Sequence, residues 1–282
     1  MLPALLITLR EGLEAALIVT ILAAYLVQTN RRREMGRVWI GVVAALVGSL
    51  AVGLAVAAGG AELSRKSQEL LEGFAGIAAV GLLTWMIFWM RRHARFLKKE
   101  LAEKTDQALA SGNTFALPML AFVAVGREGL ETVLFLYAAF SASSDPAASG
   151  GGAVVGLLAA AALGYGIYKG SARLNLRMFF QITGGLIIVV AAGMVASSVH
   201  EFNEAGVLLF WTQTAWDATG FIGSSGIIGA LLKGLIGYDP KPTVLQAVLY
   251  FAYLVPTLIA FYGLYPQIAS APSMTKKEVH AR

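Results

Sequence analysis

Two five-residue stretches hold the residues best able to do chemistry: Arg10-Glu11-Gly12-Leu13-Glu14 and Arg127-Glu128-Gly129-Leu130-Glu131. Both lie in apolar runs long enough to cross a bilayer. At about 100° per residue, a helix puts Arg10, Glu11 and Glu14 within one arc of roughly 100° and turns Gly12 to the far side, where a neighbouring helix can come close. Arg127, Glu128 and Glu131 repeat this around Gly129. A charge at the centre of a membrane helix costs ~2.5–3.5 kcal/mol, so six independent charges would cost on the order of 15–20 kcal/mol. The two sets are therefore expected to face each other, or a wet path, near the middle of the membrane.

Four carboxylates and two guanidiniums leave a formal charge of minus two, which a divalent cation neutralises. Carboxylate oxygens suit Fe²⁺, Fe³⁺, Mn²⁺, Mg²⁺ and Ca²⁺, and not Cu⁺. Glutamates at i and i+3 present two donors from one helical turn, as in di-iron sites of helix bundles. Glu11, Glu14, Glu128 and Glu131 are assigned to the metal. Arg10 and Arg127 are assigned to orienting these carboxylates when the metal is absent, and to keeping binding weak enough for release.

The elements that must position these groups are membrane helices. With 57% hydrophobic and 14% charged residues in 282, the chain leaves little outside its apolar runs and reads as one polytopic all-α membrane domain. Spans are expected at about 3–28, 38–59, 70–90, 115–140, 152–169, 178–198 and 244–265. The start lacks a basic region and a cleavage site, so the first span is expected to be retained rather than removed as a signal peptide. Cysteine is absent, which excludes disulfides, thiolate metal sites and iron–sulfur clusters.

Sixteen of the 22 basic residues fall in one set of connections and the tail, and four (Arg65, Lys66, Lys233, Lys241) in the other. The positive-inside rule then places the N-terminus outside and the C-terminus inside, which an odd number of spans requires. The net charge of +5 reflects this placement and is no nucleic-acid signal. The two motifs also mark a repeat, about 1–92 and about 114–200, offset by 117 residues at the motif. Three spans per repeat invert the second copy in the membrane, and a seventh helix follows. Small residues recur every four positions in span two (Gly41, Ala45, Ser49, Gly53) and in span five (Gly152, Gly156, Ala160, Gly164), which suits close packing. Inverted repeats whose binding groups meet near the midplane are a transporter architecture.

The acidic residues gather on the outer side. Glu69 and Glu72, again at i and i+3, open span three and are expected to admit the cation, the competing role being to complement the helix dipole. Glu204 and Asp217, on an outer segment of about 199–243, are further candidate ligands at the mouth. Glu62, Asp145 and Asp239 read as solvated surface. Within the outer segment, 207–216 is expected to form an interfacial helix anchored by Trp211 and Trp216, and 220–237 to re-enter the membrane or cap the mouth. The stretch 92–113 reads as a solvated helix extending span three, and the tail from Ser270 as disordered. His200-Glu201-x-x-Glu204 lacks the second histidine of a zinc-protease helix. Met86 and Met90, amid Trp85, Phe88 and Trp89, read as packing. Walker, dinucleotide and nucleophile-elbow motifs are absent.

The doubled motif in the first and fourth spans, the Glu69-x-x-Glu72 pair and the stretch Phe202-Asn203-Glu204-Ala205-Gly206 resemble the high-affinity iron permease family over nearly the whole chain, and the size and bare termini resemble its bacterial branch. The resemblance implies a multi-pass protein of the cytoplasmic membrane that imports iron and holds no tight cofactor. It also implies partners outside: an oxidase or haem peroxidase and a periplasmic iron-binding protein. The motif chemistry alone leaves open a manganese or proton carrier and a membrane-embedded, ferroxidase-like enzyme. A charge of minus two favours ferrous iron slightly, whereas adding Glu69 and Glu72 would accommodate ferric iron.

Overall fold

The computed structural model describes residues 1–61, 64–93, 96–143, 145–170, 175–220 and 237–263, with Gly229 and Leu232. Among them are eight α-helices and no strand: α1 Leu2–Gln28, α2 Met35–Ala61, α3 Arg65–His93, α4 Leu97–Ala110, α5 Ala116–Ser141, α6 Pro146–Tyr168, α7 Leu176–Glu204 and α8 Val244–Gly263. Five stretches are long and apolar enough to cross a membrane: Arg32–Gly59, Arg65–Met90, Pro146–Tyr168, Met178–Glu204 and Val244–Gly263. Helices α1 and α5, of 27 and 26 residues, carry the two motifs. This is a polytopic membrane protein.

Local signals explain several helix ends. Pro3 stands in the first turn of α1, where its missing N–H costs nothing. Asp145 and Asn175 cap α6 and α7, accepting from the Ala148 and Met178 amides. Thr243 and Gln246 form a reciprocal capping box at the start of α8: the Thr243 amide donates to Gln246 Oε1 and the Gln246 amide to Thr243 Oγ1. Gly206, at φ 74°, takes the left-handed conformation that stops α7.

Helices α1 and α5 occupy the centre. The broadest interfaces are crossed: α1 packs on α6 and α2 on α5, while α3 packs on α7 and α7 on α8. The small-residue stripes make the crossed contacts, and they do so reciprocally. A Cβ built on Gly12 would stand 2.8 Å from Ala160 Cβ, and one on Gly129 would stand 2.8 Å from Ser49 Cβ. Likewise Gly41 lies against Pro118 and Gly152 against Met1, and Gly53 meets Val133 where Gly164 meets Ala16. Moving 117 residues along the α1 partner and 111 along the α2 partner turns each contact into its counterpart. The largest core cluster joins Ile7 of α1, Ala79 and Leu83 of α3, Phe135 of α5 and Ile187 and Ala191 of α7. Met86 and Met90 are buried within it, so they pack.

Two expectations need correction. Residues 207–216 form no helix. Their backbone pairs with the chain leading into α8 instead: Ala215 and Ala218 amides donate to the Pro242 and Pro240 carbonyls, and Val244 and Leu245 amides to those of Gln213 and Trp211. Trp211 sits at φ 55°, which a helix forbids. Second, 92–113 does not simply extend the third span. Helix α4 is separate and docks on α1 and α5, burying Leu101 and Thr105, and Tyr25 Oη donates to Asp106 Oδ2 at 2.5 Å. Helix α3 starts at Arg65, so Glu69 and Glu72 lie beyond its first turn, where the helix dipole of the competing role has faded. Most of 220–237, Glu62 and the tail from Ser270 lie outside the described residues. Gly237 itself rests against Gly193 of α7, eleven residues or about 16 Å along the helix from Glu204.

Candidate cation site between the two motifs

The two motif helices lie side by side, and three carboxylates meet between them. One oxygen from each of Glu11, Glu128 and Glu131 lies within 4.8 Å of the others. Glu11 is 1% exposed and Glu128 3%. Neither oxygen of Glu11 has a hydrogen-bond partner, nor has Oε2 of Glu128 or of Glu131. Buried polar atoms are almost always satisfied, so unpaired oxygens converging from two helices are a candidate donor set for a hard cation. Of the groups of three or more such donors among the described residues, this is the one close enough to hold a metal ion.

Glu14, the fourth motif carboxylate, is placed differently. Its Oε1 accepts from Arg10 Nε at 3.0 Å, with both side chains buried. It still acts electrostatically on Glu128 and Glu131, so the two motifs form one charged cluster. Arg127 spans its own copy, 3.2 Å from Glu128 Oε1 and 3.4 Å from Glu131 Oε1. Its side chain is 45% exposed, and its guanidinium carbon stands 5.3 Å from the centre of the Trp89 ring of α3. The expected convergence of the two copies is thus present, with Glu11 rather than Glu14 joining the second-copy pair.

A cavity of about 920 Å³ opens between α2 and α6, along the motif helices. Glu11, Gly12, Glu128 and Gly129 reach it, but most of its wall is apolar, including Leu46, Leu50, Leu54 and Leu157. The polar exceptions in that wall include Glu11, Glu128, Thr20, Ser49, Thr132 and Tyr137.

A second acidic group stands where the C-terminal end of α7 meets the start of α3. Glu201 is within electrostatic reach of Glu72, Glu69, Glu204 and His200. Arg65 bridges two of these carboxylates, at 2.8 Å from Glu69 and 3.1 Å from Glu204, and Gln68 donates to Glu72. The Asn203 amide is buried with neither its oxygen nor its nitrogen paired. Glu72 also acts on Tyr137 of α5, which is six residues, or about 9 Å, along the helix from Glu131. Asp217 pairs instead with Lys241 at 3.5 Å and accepts from the Thr219 hydroxyl and amide. These bonds to Thr219, with Lys241 beside them, hold its carboxyl below the usual aspartate range.

Arg65, Glu201 and Trp89 were not singled out as functional from the sequence. The i,i+4 spacing of Arg65 and Glu69 is a signal for the first. His200 and Glu201 sit in the run His200-Glu201-x-x-Glu204, which lacks the second histidine of a zinc-protease helix. Trp89 reads as packing until its partner on α5 is seen.

Residues 1–271 match the iron permease FTR1 family. The chain is 43% identical over 260 residues to a ferrous iron permease EfeU of Escherichia coli O6:H1 (strain CFT073), covering 91% of this chain and 93% of that one. To the ferrous iron permease EfeU of Yersinia pestis it is 43% identical over 259 residues, covering 91% and 92%. No solved structure matches it. The chain belongs to the iron permease FTR1 family, whose named members are transporters rather than enzymes.

Proposed function

We propose that this member of the iron permease family carries ferrous iron across the cytoplasmic membrane to the cytosol, through a single cation site shared by the two motifs. The observation that carries this reading is the meeting of Glu11 from one copy with Glu128 and Glu131 from the other, their unpaired oxygens within 4.8 Å. The cluster's formal charge of minus two matches a divalent ion, and the two relatives above are named for the ferrous form. Seven spans, with the N-terminus outside and the second repeat inverted, account for the basic connections and for the reciprocal contacts of α1 with α6 and α2 with α5.

In this reading iron first meets the outer carboxylates Glu69, Glu72, Glu201 and Glu204, which raise the local cation concentration. An iron-delivering oxidase, peroxidase or binding protein would dock on the same face. Iron then passes by way of Glu72 and Tyr137 toward Glu131. Arg10 fixes Glu14 as a standing charge beside the site, and Arg127 balances Glu128 and Glu131 when the ion has left. Asp217, tied to Lys241 and Thr219, stabilises the outer segment instead of binding the ion.

The test is radioactive-iron uptake into liposomes that hold the purified protein, with ferrous iron under ascorbate in one arm and ferric citrate in the other. Ferrous uptake that disappears in Glu128→Gln is the expected result. Uptake confined to the ferric arm would overturn the oxidation state, and undiminished uptake by Glu128→Gln would overturn the site.

A further inference from the structure

The two motif arginines have different surroundings. Arg10 is 2% exposed and bonded through Nε to Glu14. Arg127 is 45% exposed, shares two carboxylates at 3.2 and 3.4 Å, and lies over the face of Trp89. The Trp89 ring is itself held in place. It stacks on Trp85 at 6.0 Å between centroids and packs against the core formed by α3, α5 and α7. The indole already contacts this guanidinium, 5.3 Å from the ring centre, and can go on holding it when the carboxylates are taken, because a tryptophan face attracts a guanidinium through its ring quadrupole.

We infer that Trp89 is a positioning residue for iron binding: it receives the Arg127 guanidinium when a cation takes Glu128 and Glu131. The inference rests on the shared-site reading above. Arg127 and the arriving ion compete for the same oxygens. A cation bound to the Glu128 and Glu131 oxygens must displace a positive charge already 3.2–3.4 Å from them. Water alone receives that charge less well than water plus an aromatic face. Removing the ring therefore leaves Arg127 more firmly on the carboxylates and weakens iron binding. On release, the guanidinium returns to the carboxylates, so two like-charged groups are not left facing each other in a medium of low dielectric. Arg10 cannot serve this way, since moving it would strand Glu14 as an unpaired buried charge.

The experiment measures ferrous iron binding to the full chain in lipid nanodiscs by anaerobic equilibrium dialysis. Trp89→Leu and Trp89→Phe are each made in the wild-type and in the Arg127→Gln background. Trp89→Leu is expected to raise Kd about five- to thirty-fold and Trp89→Phe about threefold, following the weaker face of the smaller ring. With Arg127→Gln, both changes should shift Kd less than about twofold, because the partner they act through is gone. A Kd unchanged by either substitution in the wild-type background overturns the inference. So does an equal loss in both backgrounds, since that marks a packing role. Trp89→Phe keeps a ring in the core and decides the matter if Trp89→Leu does not fold. Glu128→Gln is measured alongside: if it binds iron as the wild type does, the shared-site reading has failed, whatever Trp89 does.

Discussion

The two motif copies have the same five residues, yet one is sealed and the other open. In the first, Arg10, Glu11 and Glu14 are all buried, and the arginine is committed to one glutamate. In the second, Glu128 is buried, Glu131 partly so, and Arg127 is nearly half exposed between two glutamates and an indole. The helices around them, by contrast, pack with close reciprocity, stripe against motif helix on both sides. Symmetric packing thus holds an asymmetric charge arrangement. In the proposed reading, one copy supplies a fixed ion pair beside the site, and the other supplies most of the ligands and a counter-charge able to move.

The largest expected effect breaks both copies equally. Glu11→Gln and Glu131→Gln should each reduce iron uptake at least about a hundredfold while the protein stays in the membrane. Measured against protein content in the same vesicles, normal uptake by either variant would remove that copy from the site.

Next comes the difference between the arginines. Arg10→Gln leaves Glu14 buried without its partner, a loss of about 3–5 kcal/mol, and should lower the thermal midpoint in detergent by several degrees. Arg127→Gln, at a half-exposed position, should change the midpoint little and tighten iron binding instead. Equal destabilisation by both would erase the contrast drawn here.

A smaller effect tests the reciprocity. Gly41→Val and Gly152→Val, at counterpart positions, both drive a side chain against backbone of the crossed partner, at Pro118 and at Met1, and overpacking of this kind costs about 1–3 kcal/mol. The two midpoints should fall by similar amounts. A fall in one alone would mean that the halves do not share their load.

The smallest effect lies far from the motifs. Asp217→Asn should leave uptake within about twofold of the wild type. Because its bonds to Thr219 lower the Asp217 folded-state pKa, its contribution to stability is present above the ordinary aspartate value of about 3.9 and lost as pH falls through the lower folded value. The thermal midpoints of wild type and variant should therefore converge only at strongly acid pH, which a pH series of melting curves reads directly.

Much of this arrangement was legible in the sequence, for identifiable reasons. Charges inside apolar runs are costly, so the meeting of the two motifs follows from their presence alone. The stripes at 41–53 and 152–164 announced close packing, although which helix each would meet depends on the crossed connection. The pairing of Arg10 with Glu14 has a local signal in its i,i+4 spacing, but the meeting of Glu11 with Glu128 and Glu131 depends on the facing helix. Arg65 and Trp89 meet Glu204 and Arg127, partners remote in sequence. The segment 207–216 has interfacial-helix composition, but its backbone bonds run to 240–245, a non-local pairing that local pattern does not carry. Gly206 just before it was the available warning, since a glycine after a helical run commonly ends the helix.

One shared site, as opposed to one site per motif copy, is the centre of the account. The most direct measurement is the stoichiometry of ferrous iron bound to the purified chain in nanodiscs, for the wild type, Glu11→Gln and Glu131→Gln at saturating iron. A shared site gives one motif-dependent ion per chain, lost in both variants. Two ions per chain, with each substitution removing one and sparing the other, would contradict it.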